Sequence, residues 1–233
     1  MYFLPRFIHS TTSADKVSLR PTRTLAAFTI SVIFFEYDAP SSEASQAMLI
    51  YQGTTIPNLA GTNGTDLVNA HWNNFVSYVE DRRTLASLLQ LDFIWILIYQ
   101  PLPALIATAS ARINPAGNLL NLSPNSGDHM WMACSVAWKL SLDDSDASTM
   151  GVDIIDNIAS YTRETYPGVK PSNFKAGYVA PPGYDLIFMN DASADQPVLQ
   201  GYGDAIYQRL KFIQKKYDQK GVFPQRTNGF KLT

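Results

Sequence analysis

The chain has 233 residues, 46% hydrophobic and 12% aromatic, with 18 Lys and Arg against 20 Asp and Glu for a net charge of −2. That apolar content supports one large or two small packed domains and excludes an intrinsically disordered chain. The charge balance offers no basic stripe for nucleic acid, and the single cysteine, Cys134, excludes an internal disulfide.

Residues 1–27 carry Ser, Thr, Arg and two prolines without a period and read as a poorly ordered lead-in. The apolar run from Leu25 to Phe35 is too short for a membrane span, which needs about 20 residues, and it lacks a small-residue cleavage site. Its Thr29, Ile30, Val32, Ile33, Phe34 and Phe35 predict a strand over 28–37, ended by Asp38-Ala-Pro40. Ser41 and Ser42 are placed to cap a helix reaching Tyr51, with Ala44, Ala47, Met48 and Tyr51 on one side. Gly53, Pro57, Gly61 and Gly64 then predict a loop to about residue 65. A helix follows from Asp66, with Trp72, Phe75, Val76 and Val79 as its apolar face, and Leu85, Leu88 and Leu89 mark a second, short one.

A strand is expected over 93–99, stopped by Tyr99-Gln-Pro-Leu-Pro103 because proline cannot donate into a ladder. Pro103 opens a helix through about Ala111, and Pro115-Ala-Gly-Asn118 forms a turn. The next strand spans about 130–140. Asp143, Asp144 and Asp146 supply negative charge to the start of a helix bearing Ile154, Ile155, Ile158, Tyr161 and Tyr166, which ends at Pro167-Gly168. After a loop at 177–183 the residues from Tyr184 to Ser193 predict a buried strand. A turn, an amphipathic helix with Ile206, Leu210, Ile213 and Tyr217 on one stripe, and a short return strand complete the chain. These elements make an α+β fold, a mainly antiparallel sheet with helices packed on one face, with neither internal repeat nor low-complexity segment.

No phosphate loop, Gly-rich dinucleotide fingerprint, His-x-x-x-His pair or Cys cluster is present, so no metal site is expected. His9, His71 and His129 are isolated and read as packing or surface residues. Cys134, inside an apolar strand, reads as a buried small residue rather than a nucleophile. Asp143, Asp144 and Asp146 read as a solvated helix start. Asn63-Gly-Thr65 and Asn121-Leu-Ser123 match the glycosylation acceptor pattern, the second weakened by Pro124. Local spacing identifies no catalytic residue and no compartment.

Three blocks carry a resemblance. The first is Tyr99-Gln-Pro-Leu-Pro103 followed by Ala116-Gly-Asn-Leu119 and Leu122; the second is Trp138 with the acidic helix start behind it. The third is Phe188-Met-Asn-Asp-Ala-Ser193, Asp195-Gln196, Tyr202-Gly203, Leu210, Tyr217-Asp218, Val222-Phe223 and Gly229-Phe-Lys-Leu232. In this order they resemble the fungal FAD-linked oxidoreductases of the berberine-bridge-enzyme-like, vanillyl-alcohol-oxidase-type family. The likeness is good from about 90 to 232 and weaker from 28 to 90.

The resemblance implies a substrate-type domain over 28–183, whose sheet faces the flavin, and a C-terminal tail over 184–233 that returns to the flavin domain. It implies FAD as cofactor, a small-molecule substrate, and oxidation of an alcohol, amine or C–H group in secondary metabolism. Asn190 matches a position near the flavin ring, and Gln100 matches a strand end on the substrate side. The family's Gly-rich pyrophosphate segments have no counterpart, so the flavin-binding domain is expected to be absent. Exposed apolar surface and a protein partner covering it follow from that expectation. The alternative is a flavin-free, vestigial or binding (cyclisation) module using the old substrate cavity. Departures from the family pattern are Asp191 where an aromatic is frequent, Ala116 for a second glycine and Gln219 for a proline.

Overall fold

The structure is a computed structural model that describes residues 32–35, 48–89, 93–114, 117–138, 141–226 and 229–232, with 32–35 and 83–89 described by backbone alone. Alternation of large apolar residues builds its sheet. Phe93–Leu102 (β3) buries Phe93, Trp95, Leu97 and Tyr99 on one face, and His129–Trp138 (β4) buries Met132, Cys134, Val136 and Trp138 on the same face. Val32–Phe35 (β1) pairs with β3, and Met48–Pro57 (β2) pairs with β4 along its whole length. The four strands lie in the order β1-β3-β4-β2, and every pairing is antiparallel.

Two long helices cover the face that carries Trp95 and Cys134. Asp144–Thr165 (α3) lies across β2 and β4, and Gly61–Leu89 (α1) packs against α3 and β3. Their buried stripes, Leu67, Phe75 and Val79 from α1 and Ala147, Met150, Ile154, Ile155 and Ile158 from α3, join the sheet in one apolar cluster. Tyr78 donates to Asp153 at 2.8 Å and the Trp138 indole donates to Asp144 at 2.7 Å, tying α1 to α3 and β4 to the start of α3. The α+β architecture, with an antiparallel sheet and its long helices on one face, is the expected one. No helix among the described residues is long and apolar enough to cross a membrane.

Several boundaries differ from expectation. Residues 48–57 form a strand, not the end of a helix followed by a loop. Ile50, Thr54, Thr55 and Ile56 suit a pleated surface, and continuous pairing with β4 outweighs the local cap and glycine signals. One helix of 29 residues replaces the two expected over 66–89. It starts early because Gly64 admits the Leu59 carbonyl oxygen, which would lie 2.1 Å from a side-chain Cβ at that position. β3 runs through Pro101, which pairs with Met130 of β4 on one side and has no strand opposite it on the other among the described residues.

The tail also departs from expectation. Residues 184–188 join no ladder beyond one bridge between Tyr184 and Tyr202, and Met189–Asp191 form a 3-10 turn. Ala104–Ile113 (α2) and Asp204–Tyr217 (α4) are helices as expected. The return strand is instead a short helix, Val222–Arg226 (α5), whose first two amides donate to the Asp218 carboxylate at 2.8 and 3.0 Å. The lead-in, the helix cap at Ser41 and Ser42, and Ala116 lie outside the described residues.

Candidate functional site

Because strand side chains alternate, the residues between those that meet the helices form a second face. From one end it runs in rows: Pro57, His129 and Leu102; Thr55, Trp131 and Gln100; Gly53, Ala133 and Ile98; Tyr51, Ser135 and Ile96; Leu49, Ala137 and Ile94. The segment 184–199 lies over the first three rows. Beyond them Ile94 and Ile96 stay half-buried, and they belong to neither apolar cluster of the described residues.

Polar contacts seat the tail on this face. The Gln196 amide accepts from the Gly53 N–H at 2.9 Å and the Ser193 N–H at 3.1 Å, and donates to the Gly53 carbonyl at 2.8 Å. A side-chain amide thus stands where a fifth strand would pair with the open edge of β2. Thr55 donates its hydroxyl to the Leu186 carbonyl. Phe188 stacks on Trp131 with ring centroids 4.1 Å apart and planes 3° from parallel. Gly53 makes the approach possible, since a Cβ there would lie 2.5 Å from the Asp191 carbonyl oxygen. Leu102, Leu186, Ile187, Val198, Leu199 and Tyr202 bury a second apolar cluster beneath, with Leu210 of α4 packed on it.

Gln100, expected on the substrate side, sits in the Trp131 row and donates its amide to the Asp191 carboxylate at 2.5 Å. Asn190, the neighbour of Asp191, is exposed. Gln100 thus meets Asp191, one of the three departures from the family pattern and the residue next to Asn190 in the chain. Burial raises the Asp191 pKa, and the hydrogen bond from Gln100 opposes that shift. Asp191 and Gln196 carry the local geometry and were not singled out by role in the sequence. Their only signal was position within the tail block.

A separate cleft of about 170 Å³ opens where the first row meets α2 and the 122–127 loop. His129 lines it, with the Nδ1 atom 3.0 Å from the Gly127 carbonyl oxygen. A carbonyl can only accept, so in the neutral ring Nδ1 holds the proton and Nε2 is an acceptor. Burial lowers the His129 pKa, while the Gly127 hydrogen bond and the nearby Asp128 charge oppose the shift. His71, in contrast, is wholly buried between α1 and α3. Thr162 gives its hydroxyl proton to the Ile158 carbonyl and so accepts from His71 Nε2 at 3.0 Å. Burial pulls the His71 pKa down to about 4. Cys134 is fully buried, as expected, with its thiol pushed up to about 12 by burial.

The described residues do not fit a whole FAD. The His129 cleft, at 170 Å³, lies below the roughly 300–1,000 Å³ of sites that enclose a ligand of moderate size. A second hollow of about 450 Å³ lies along the C-terminal half of α4, where the helix dipole disfavours a pyrophosphate. Among the described residues the sheet face beyond the tail offers the half-buried Ile94 and Ile96 and no cradle. Among the described residues no group of His, Cys, Asp or Glu is placed to hold a metal ion.

No family model matches the chain, and no solved structure matches it significantly. Among curated proteins it is similar to the FAD-dependent monooxygenase drtC of Aspergillus calidoustus, with 25% identity over 75% of this chain and 30% of that protein. It is also similar to the bifunctional solanapyrone synthase of Alternaria solani, with 32% identity over 44% of this chain and 17% of the synthase. An FAD-dependent monooxygenase of Arthrobotrys oligospora shares 30% identity over 50% of this chain and 20% of its own length. The matched stretches thus span less than a third of each relative. These similarities relate the chain to fungal FAD-dependent oxidoreductases.

Proposed function

We propose that the chain forms the substrate-side wall of a flavin-dependent oxidoreductase of the berberine-bridge-enzyme-like type, acting in fungal secondary metabolism, with FAD held by protein outside the described residues. The observation that carries this reading is the unequal covering of the sheet. One face is sealed by α1 and α3, while on the other the described residues 184–199 cover only the rows nearest Gln100 and Asp191, and Ile94 and Ile96 beyond them are half-buried. The names of the relatives supply the cofactor class. Gln100 and Asp191 satisfy each other, so their role is to fix the tail beside the exposed Asn190. No chemical step is assigned to them.

The exposed apolar residues of α4 and α5, Phe212 at 66% and Phe223 at 68%, fit a protein surface lying over the tail in the same assembly. A second reading, a flavin-free binding module, is favoured by the absence of a cradle for FAD among the described residues.

Riboflavin, which carries the isoalloxazine ring alone, separates the two readings. The full chain should quench riboflavin fluorescence saturably, and Ile96→Lys, on the open face, should abolish the quenching. A folded chain that leaves riboflavin fluorescence unchanged sinks the first reading. A chain that purifies with a visible flavin band sinks the second.

A further inference from the structure

The His129 cleft has no part in the reading above, and its construction is specific. Asp128 accepts the α2 Ala104 amide at 2.8 Å through one carboxylate oxygen and the Asn173 amide at 2.8 Å through the other. Its own N–H donates to the Ser172 carbonyl at 2.7 Å, and its carbonyl accepts from Asn58 at 2.9 Å. Four chain segments are thereby knotted at the residue preceding His129. On the other side of Asp128, Gly127 is buried with φ of 84°, and a Cβ there would lie 2.7 Å from the Ser172 carbonyl oxygen and 2.8 Å from Pro171. The knot fixes the Gly127 carbonyl, and that carbonyl fixes the imidazole. Its Nε2 has no hydrogen-bond partner among the described residues.

Around this oriented acceptor the walls are mixed: Leu102, Ala107, Leu122 and Leu186 are apolar, while Ser123, Tyr184 and Asp185 bring polar groups. Ser126 and Thr55 also line the cleft, but their hydroxyl protons are already given to the Ser123 and Leu186 carbonyls. With the Thr55 and Ser126 hydroxyl protons already donated, and with His129 Nε2 and the Asp185 carboxylate as acceptors, the cleft selects a ligand group that is flat, small and carries its own donor. A volume of 170 Å³ has room for a single ring.

We infer that this cleft is a binding subsite for a ring-sized hydroxylated group, a phenol or comparable cyclic alcohol, whose O–H donates to His129 Nε2. The inference does not rest on the flavin reading, since its test uses no flavin.

The probes are phenol and anisole, which differ in the donor proton and its methyl replacement. The full-length chain, labelled with ¹⁵N, is titrated with each while the His129 ring nitrogens and the amides of Ser126 and Leu186 are followed by NMR. Phenol should shift the His129 Nε2 resonance saturably and bind at least about tenfold more tightly than anisole, the effect of one well-placed hydrogen bond. His129→Leu, folded by its amide spectrum, should lose that preference. Equal binding of the two probes by the wild-type chain overturns the inference, and this arm needs no variant. So does the absence of a saturable shift at His129, a shift confined to the open rows near Ile96, or a folded His129→Leu chain that still prefers phenol.

Discussion

On the face toward α1 and α3, Phe93, Trp95, Leu97, Met132, Cys134 and Val136 are each at most 2% exposed. On the opposite face, Gly53, Thr55, Gln100 and Trp131 each hold a particular atom or ring of one irregular segment. The contrast separates two ways of attaching chain to a sheet. Apolar burial is non-directional and scales with area, so two amphipathic helices suffice to seal the first face. A segment with no ladder of its own must have its backbone groups met one by one, and Gln196, Thr55 and the gap at Gly53 do this on the second. Strength belongs to the helix face and register to the tail face.

The largest expected effect comes from breaking the helix face. Trp95→Ala removes a buried indole that also donates to the Met150 sulfur at 3.4 Å, and should cost about 3–5 kcal/mol in urea unfolding. A loss below about 1 kcal/mol would show that this face is not the core.

Next comes acid. His71 has a folded pKa of about 4, below its ordinary 6.5, so the neutral ring is the form that folding favours. Between those values the unfolded chain binds more protons. Stability from this group is therefore full above pH 6.5 and falls by up to about 3 kcal/mol as pH drops to 4. His71→Leu should flatten that part of the stability–pH curve, and an unchanged slope would assign the acid loss elsewhere.

The tail face should yield with less cost and more specificity. Gly53→Ala places a Cβ against the Asp191 carbonyl and should destabilise by about 1–3 kcal/mol. Near-UV circular dichroism should lose the signal of the Trp131–Phe188 stack while the far-UV spectrum stays. Intact near-UV signal would mean that the tail shifts without leaving the sheet. The smallest change has the opposite sign. The Tyr99 hydroxyl is buried on the helix face without a hydrogen-bond partner among the described residues, and burial raises its pKa. Tyr99→Phe should stabilise the fold by about 1 kcal/mol, raising Tm by a few degrees; an unchanged or lower Tm would show that the hydroxyl is satisfied.

The same contrast explains how much could be read in advance. Periodicity reports the helix face, because alternation in β3 and β4 and the Ile154, Ile155, Ile158 spacing in α3 are local consequences of burial. It misled at β2, whose Gly53 looks like a breaker but makes room for Asp191, 138 positions away in the chain. It misled again over 184–188, where Leu186, Ile187 and Phe188 look like a strand but lie on the sheet rather than within it. Gln100 and Asn190 were found through resemblance, and the contact of Gln100 with Asp191 needed the tertiary structure. His129 looked as isolated as His71. Only the fold separates a ring wedged between helices from one with a nitrogen to spare at a cleft.

Cys134 is the chain's single thiol, on the central strand β4, wholly buried and protonated at neutral pH. A thiol reagent can reach it only when the helix layer lifts from the sheet, and detachment of the tail on the other side leaves it shielded. Its labelling rate is therefore an intrinsic clock for opening of the core. That clock keeps separate time from the tail, whose departure the Trp131–Phe188 pair would register first.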